Sequence, residues 1–171
     1  KVFMASTHDY LLCFTNKGRA YWLRVYDIPE GSRTAKGKAI VNLLNLTDED
    51  VSAVIPLRSF DSDKYFLYAT KSGRIGKFSQ DLFSRPRAGG IIGMTLLDGD
   101  ELVDVVMTDG KSDVVLTTAY GQSLRFSEEE VRATGRGSQG VIGIKMKYEE
   151  DRVCGLTLVD EKAKYLFLLT D

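Results

Sequence analysis

Apolar residues along this chain come in short runs, each broken by a polar, glycine-centred turn. One run is Leu11-Leu12-Cys13-Phe14, followed by Thr15-Asn16-Lys17-Gly18-Arg19. A second is Phe66-Leu67-Tyr68-Ala69, followed by Thr70-Lys71-Ser72-Gly73-Arg74. A third is Val114-Val115-Leu116, followed by Thr117-Thr118-Ala119-Tyr120-Gly121-Gln122, and a fourth begins at Tyr165-Leu166-Phe167-Leu168-Leu169-Thr170-Asp171. Thr15, Thr70, Thr118 and Thr170 align at a period of about 50 residues, the signature of a blade-type β architecture.

Within each copy the order of parts is constant. The glycine of the turn supplies the positive φ that a tight hairpin needs. Beyond it, residues 19–25, 74–78 and 122–126 alternate in part, as half-buried antiparallel strands do. A short polar segment follows, and Ser127 ahead of Glu128-Glu129-Glu130 reads as the N-cap of one helical turn with acids in it. Next come a basic, glycine-rich loop and a third apolar stretch, at Ile40-Val41-Asn42-Leu43-Leu44, Ile91-Ile92-Gly93-Met94 and Val141-Ile142-Gly143-Ile144. An acidic turn (Asp48-Glu49-Asp50, Asp98-Gly99-Asp100-Glu101, Glu149-Glu150-Asp151) leads into a last strand starting at Val51, Leu102 or Val153. Four strands per copy predict an all-β chain of about three blades, over residues 10–57, 65–107 and 113–159. Residues 1–6 and 165–171 read as strands of flanking blades.

Composition narrows the class. The 171 residues are 43% hydrophobic and 27% charged, as in a soluble globular protein. No run approaches the length of a membrane-spanning helix, so no membrane partner is expected. The formal net charge of −1 argues against a uniformly basic nucleic-acid binder but leaves room for a basic stripe on one face. Cys13 and Cys154 lie far apart in strand-like runs, which predicts two buried free thiols and fits a reducing cytoplasm.

The basic residues recur at one place in the repeat. They are Arg33, Lys36 and Lys38 in the first copy, Arg85 and Arg87 in the second, and Arg132 and Arg136 in the third. If the blades stack around an axis, these loops share a rim, and their cations would follow a phosphate backbone and release its counterions. Lys17, Arg19, Lys71 and Arg74 recur at the hairpin turns and extend the stripe, with the acidic turns segregated elsewhere. Gly37, Gly89, Gly90, Gly137 and Gly140 let the backbone approach a phosphate, although β-turns use glycine for purely structural reasons too. No base-reading helix is visible, so recognition would go through backbone and shape. The charged loops also fit a second class, a protein-interaction propeller whose acidic turns or strand edges bind a partner.

Other chemistry finds little footing. Residues 31–38 look faintly like a phosphate loop, but the glycine spacing is one too long and Ala39 stands where Ser or Thr would hold magnesium. His8-Asp9 is the one His–carboxylate neighbour pair, and a lone His builds no ordinary metal site. Asp98, Asp100 and Glu101 lack the EF-hand spacing. No Ser/His/Asp or Cys/His set is present, which leaves an enzyme site in the blade axis without residues. Tyr21, Trp22 and Tyr26 have the rings to stack on bases, but their strand alternation fits core packing better.

The stretch Thr7-His8-Asp9-Tyr10-Leu11-Leu12-Cys13-Phe14 with Asn16-Lys17-Gly18-Arg19 resembles the C-terminal domain of DNA gyrase A. So do RTAKGKAIVNLL from Arg33 to Leu44, Leu97-Asp98-Gly99-Asp100-Glu101-Leu102 and Gly140-Val141-Ile142-Gly143-Ile144, and the likeness covers essentially the whole chain. The resemblance implies a β-pinwheel, a propeller-like disc of about six four-stranded blades that exchange strands with their neighbours, of which this chain holds about half. It implies that duplex DNA wraps around the basic rim so that the complete ATP-dependent topoisomerase introduces negative supercoils. By the same resemblance the domain carries no cofactor and no catalytic residue of its own, ATP and Mg being used elsewhere in the enzyme. Its partners are then DNA and, in an A2B2 complex, the rest of gyrase A together with gyrase B, in the cytoplasm at the nucleoid. One departure stands out. The QRRGGRG-type box of the family is absent; Arg85–Gly90 and Arg132–Gly137 only echo it, and in the family the box precedes the stretch that looks like Val2 to Arg19. That keeps the paralogous domain of topoisomerase IV, which binds DNA without wrapping it in the same way, as an alternative.

Overall fold

A computed structural model describes residues 3–159 and 165–166. In the first repeat, β1 (Tyr10–Thr15) and β2 (Arg19–Arg24) form a hairpin, and β3 (Val51–Leu57) pairs with the other side of β1. The second repeat builds the same unit from β4 (Tyr65–Thr70), β5 (Arg74–Ser79) and β7 (Leu102–Thr108). The third uses β8 (Asp113–Thr118), β9 (Ser123–Ser127) and β12 (Val153–Val159). A register shift recurs in all three units where the last strand meets the end of the first. Such a bulge twists the sheet and re-aims the turn beside it.

The remaining strands cross between repeats. From the second repeat, β6 (Ile91–Ile92) joins the first sheet, with Ile91 opposite Ala20 and Ile92 opposite Arg19 on β2. From the third, β10 (Ala133–Thr134) runs parallel to β5, and β11 (Val141–Ile142) pairs antiparallel to it, setting Val141 opposite Ile75 and Ile142 opposite Arg74. The sheets are therefore ordered β3-β1-β2-β6, β7-β4-β5 with β10 and β11, and β12-β8-β9. The expected four strands per copy resolve into three long strands kept at home and one or two short ones lent to the preceding repeat.

The first repeat departs from the expected pattern. Residues Ile40–Leu44, expected as its third strand, form a short helix, α1. Their counterparts β6 and β11 each pair with the outer strand of the repeat before, and among the described residues no such strand precedes the first repeat. Ile40, Leu43 and Leu44 instead turn one helical face onto Leu11, Cys13, Tyr21 and Leu23 of the first sheet. Asn45, at φ 51°, ends the helix in the left-handed region. Of the flanking strands expected at 1–6 and 165–171, residues 3–6 and 165–166 pair with no strand, and the others lie outside the described residues.

Between the first two sheets, Phe14, Phe66 and Phe83 meet edge to face at centroid distances of 5.4–5.7 Å, and the Tyr68 ring stacks on Phe78. A second core, around Leu67, Ile75, Leu116, Ile144 and Val153, joins the second sheet to the third. Successive repeats thus bury apolar faces against one another, as in quasi-linear repeat proteins, while α1 covers the other face of the first sheet within its own repeat. Cys13 is buried as expected and its burial pushes the thiol up to about 12, but Cys154 is exposed because it sits on the outward face of β12. No helix among the described residues is long and apolar enough to cross a membrane.

Candidate nucleic-acid interface

The hairpin turns place the next repeat. Gly18 O accepts from the main-chain N–H groups of Gly93 and Met94 at 2.9 and 3.1 Å, and Gly73 O accepts from Gly143 and Ile144 at 2.8 and 3.1 Å. A side chain at either turn would collide there: a Cβ would lie 2.7 Å from Met94 O at Gly18 and 2.5 Å from Ile144 O at Gly73. These turns therefore need glycine for close approach as well as for positive φ. The contact fixes where each two-residue lent strand ends, and so holds the basic loop just ahead of that strand close to the turn.

The loops themselves are held to different degrees. In the second repeat the loop closes through Gly90 N–H donating to Arg87 O at 2.9 Å. In the third, Gly137 N–H donates to Gly93 O at 2.8 Å, Thr95 N–H donates to Ser138 O at 3.2 Å, and the Tyr68 hydroxyl donates to the same Ser138 oxygen at 3.2 Å. Burial pushes the Tyr68 phenol up to about 12 against the opposing Arg74 charge, so it stays a protonated donor. The first-repeat loop, by contrast, is bonded only locally, as where Ala35 N–H donates to Ser32 O at 3.0 Å.

Arg33, Lys36, Lys38, Arg85, Arg87, Arg132 and Arg136 are all exposed, and none has an acidic partner among the described residues. The fold brings two of these loops together. Arg87 from the second repeat and Arg136 from the third line one open cavity of about 460 Å³, together with Arg19, Ile92, Thr95 and Gly137. Three arginines from three successive repeats thus line one open depression, with apolar Ile92 in its wall.

The hairpin cations behave differently, and here the expected segregation of charge gives way. The acidic turn of each repeat lies against its own hairpin turn. Asp100 accepts from Ser72 N–H at 2.9 Å, and Lys71 Nζ binds Glu101 at 2.8 Å. Arg19 lies 3.7 Å from Glu49. Asp151 accepts from Tyr120 N–H at 3.0 Å. Arg19 and Arg74 also direct donors at main-chain oxygens of the following repeat. Lys17 alone of the four is exposed and without an acidic partner among the described residues; it lines a neighbouring cavity of about 380 Å³ with Ile92 and Asp100.

The other candidates fall into structural places. Asp9 accepts from Ser6 N–H at 2.8 Å beside exposed His8, and no group of metal-ligating side chains occurs among the described residues. Tyr21 is buried, and the indole of Trp22 donates to Phe83 O at 3.0 Å, while Tyr26 is exposed. Ser127 does cap the turn at Glu128–Glu130, accepting from Glu129 N–H at 3.2 Å, and the turn is a 3₁₀ helix. Ile92 and Thr95 join the depression without a mark in the sequence, since Ile91 and Ile92 are identical residues and only the pairing of β6 turns the first inward and the second outward.

A model of the family described as DNA gyrase C-terminal domain, beta-propeller, matches residues 9–58, 64–109 and 112–159. The chain is 46% identical over 157 residues to the DNA gyrase A protein of Klebsiella oxytoca, a match covering 91% of this chain and 18% of that protein. It is likewise 46% identical over 165 residues to the DNA gyrase A protein of Haloquadratum walsbyi, covering 94% and 19%. Among solved structures it is similar to a C-terminal domain of DNA topoisomerase IV (TM-score 0.82, 33% identity, 91% of this chain and 49% of that one). It is also similar to a DNA gyrase A C-terminal domain (TM-score 0.74, 31% identity, 92% and 50%). The chain therefore spans about half of those solved domains and under a fifth of the full-length relatives. The solved domains show a shape common to both enzymes, and the higher identities fall on gyrase proteins. With the strand exchange and the repeated basic loops already in view, the chain belongs to the DNA gyrase C-terminal domain family.

Proposed function

We propose that this chain binds duplex DNA along the rim formed by its basic loops and bends it, as part of the DNA-wrapping domain of gyrase A. The observation that carries this reading is the open depression that Arg87 and Arg136, from successive repeats and without acidic partners among the described residues, line with Arg19. A guanidinium fork matches phosphate oxygens, and a row of such sites on consecutive blades makes the backbone follow the curved rim. Bending by backbone contacts alone gives little base preference. In the full enzyme the wrapped segment is presented to the cleavage core of gyrase A, and the ATP and Mg chemistry belongs with gyrase B and that core. The domain itself then contributes geometry and no catalytic group. Such a part works where the bacterial chromosome lies, in the cytoplasm.

The test is duplex binding across a salt series, followed by the linking number of a relaxed circular plasmid closed in the presence of the protein. Affinity falling steeply with salt, together with a chiral linking shift that grows with protein, is the expected result. Charge reversal at Arg33, Lys36 and Lys38, and separately at Arg87 and Arg136, weakens binding; unchanged affinity in both variants refutes the rim. Binding with no linking shift favours the topoisomerase IV-like mode, and no binding at low salt favours a protein-interaction propeller.

A further inference from the structure

The position just after the hairpin glycine carries an arginine in the first and second repeats, and both side chains reach forward to the next repeat. Arg74 Nε donates to Gln139 O at 2.8 Å, and its Nη2 donates to Gly140 O at 2.7 Å. Arg19 Nη2 donates to Gly89 O at 2.6 Å, while its Nε donates to the Tyr21 hydroxyl at 2.9 Å and its charge lies 5.6 Å from that ring. In each case the main-chain oxygens belong to the glycine-rich stretch between the basic loop and the lent strand. We infer that Arg19 and Arg74 are positioning residues, which lock the basic loop of the following repeat onto the sheet and so fix the spacing of phosphate-binding cations from blade to blade.

Three further observations support the assignment. The lent strands β6 and β11 are two residues each, and in the third repeat the equally short β10 pairs on the other side of the loop, so the main-chain ladder grips each loop over only a few residues. The loops are rich in glycine, which loses the most conformational freedom on ordering and so needs an added anchor. The geometry also needs a guanidinium: the planar fork reaches two successive carbonyls at Arg74, and a carbonyl and a phenol oxygen at Arg19, whereas an ammonium is a point donor on a flexible stem. In the third repeat Gln122 takes this position, and its amide oxygen accepts from Lys147 N–H at 2.9 Å within its own repeat.

The first half of this inference is independent of any ligand, and the second half rests on the DNA-binding reading above. It is tested in the same 171-residue protein with Arg74→Lys, Arg74→Ala and, for comparison, Arg136→Lys and Arg136→Ala. Without DNA, amide exchange over residues 137–142 speeds up at least about tenfold in both Arg74 variants and stays unchanged in both Arg136 variants. Unchanged exchange in Arg74→Ala overturns the clamp. With duplex DNA, Arg74→Lys loses as much affinity as Arg74→Ala, because charge alone does not restore the fork. Parent-like affinity in Arg74→Lys overturns the positioning role and returns Arg74 to a plain phosphate contact. If the parent protein binds no duplex, the functional reading fails, and the exchange result still decides the clamp.

Discussion

Lys77 donates its ammonium to the main-chain oxygen of Glu128 at 2.8 Å, across the boundary between the second and third repeats. Its Nζ also lies 4.0 Å from the Glu128 carboxylate and 5.3 Å from the centre of the Tyr65 ring. Glu128 is fully buried; one carboxylate oxygen accepts from Ser112 N–H at 2.7 Å and from the Thr108 hydroxyl, and the other has no hydrogen-bond partner. In the first repeat the same bridge is made by Trp22 to Phe83 O. One position on the outer hairpin strand thus pins the 3₁₀ turn of the next repeat, once with an indole and once with a buried ion pair.

Removing the Lys77 cation leaves a carboxylate buried without a counter-charge. Lys77→Ala is expected to destabilise the chain by about 3 kcal/mol or more in urea unfolding. The Lys77→Ala/Glu128→Gln double variant should recover part of that loss, because the neutral amide carries no charge to strand. Equal stabilities of the single and double variants refute a role for the charge.

Gly73 and Gly121 stand at equivalent turns, both at positive φ of 88° and 85°. An added Cβ meets Ile144 O at 2.5 Å at Gly73 and, among the described residues, nothing within 4 Å at Gly121. Gly121→Ala should therefore cost only the left-handed backbone penalty, about 1 kcal/mol. Gly73→Ala adds a backbone displacement and should cost about 2 kcal/mol more. Thermal melts of the two variants check the order, and equal melting temperatures refute the docking role of the turn.

The two cysteines should separate cleanly in a labelling experiment. Cys154 is exposed, while the buried Cys13 thiol, pushed up to about 12, offers almost no thiolate near neutrality. An aromatic disulfide reagent should titrate one thiol rapidly in the native protein and the second only on addition of denaturant. Two rapid equivalents refute the burial of Cys13.

Asp151 gives an acid-side dependence. Burial pushes its carboxyl up, but the adjacent Thr118 hydroxyl, the Tyr120 and Arg152 N–H groups and the Arg152 charge outweigh it and hold the value below the ordinary one. A carboxyl lowered by folding contributes stability that is present above its unfolded value, about 3.9, and is lost as pH falls through the lower folded value. Melting temperatures of the parent and Asp151→Asn should differ at pH 5–7 and converge in strong acid. A difference that stays constant with pH refutes the contribution.

Much of this was legible in the chain itself. The three hairpins follow from runs such as Phe66–Ala69 ending at a glycine, and the 3₁₀ turn after Ser127 follows from its cap and acids. The loop cations Arg87 and Arg136 stand out because they recur at one repeat position, and they are exposed and without an acidic partner among the described residues. Lys71 stands out by the same rule, yet it is paired with Glu101, a partner about 30 residues away on the acidic turn. Arg74 does too, yet it faces the carbonyls of Gln139 and Gly140.

The period, the hairpins, the turn glycines and the placement of the basic loops follow from local sequence, because each depends on alternation or φ preference over a few neighbouring residues. The tertiary structure decided which sheet each two-residue strand joins. It also made a helix of Ile40–Leu44 where its counterparts are strands, and it settled which cations remain free. Those outcomes turn on partners supplied by other parts of the chain: a strand edge that is present or absent, a carbonyl that a guanidinium can reach, a carboxylate folded against an ammonium. Local pattern carries no record of what the neighbouring repeat will place alongside.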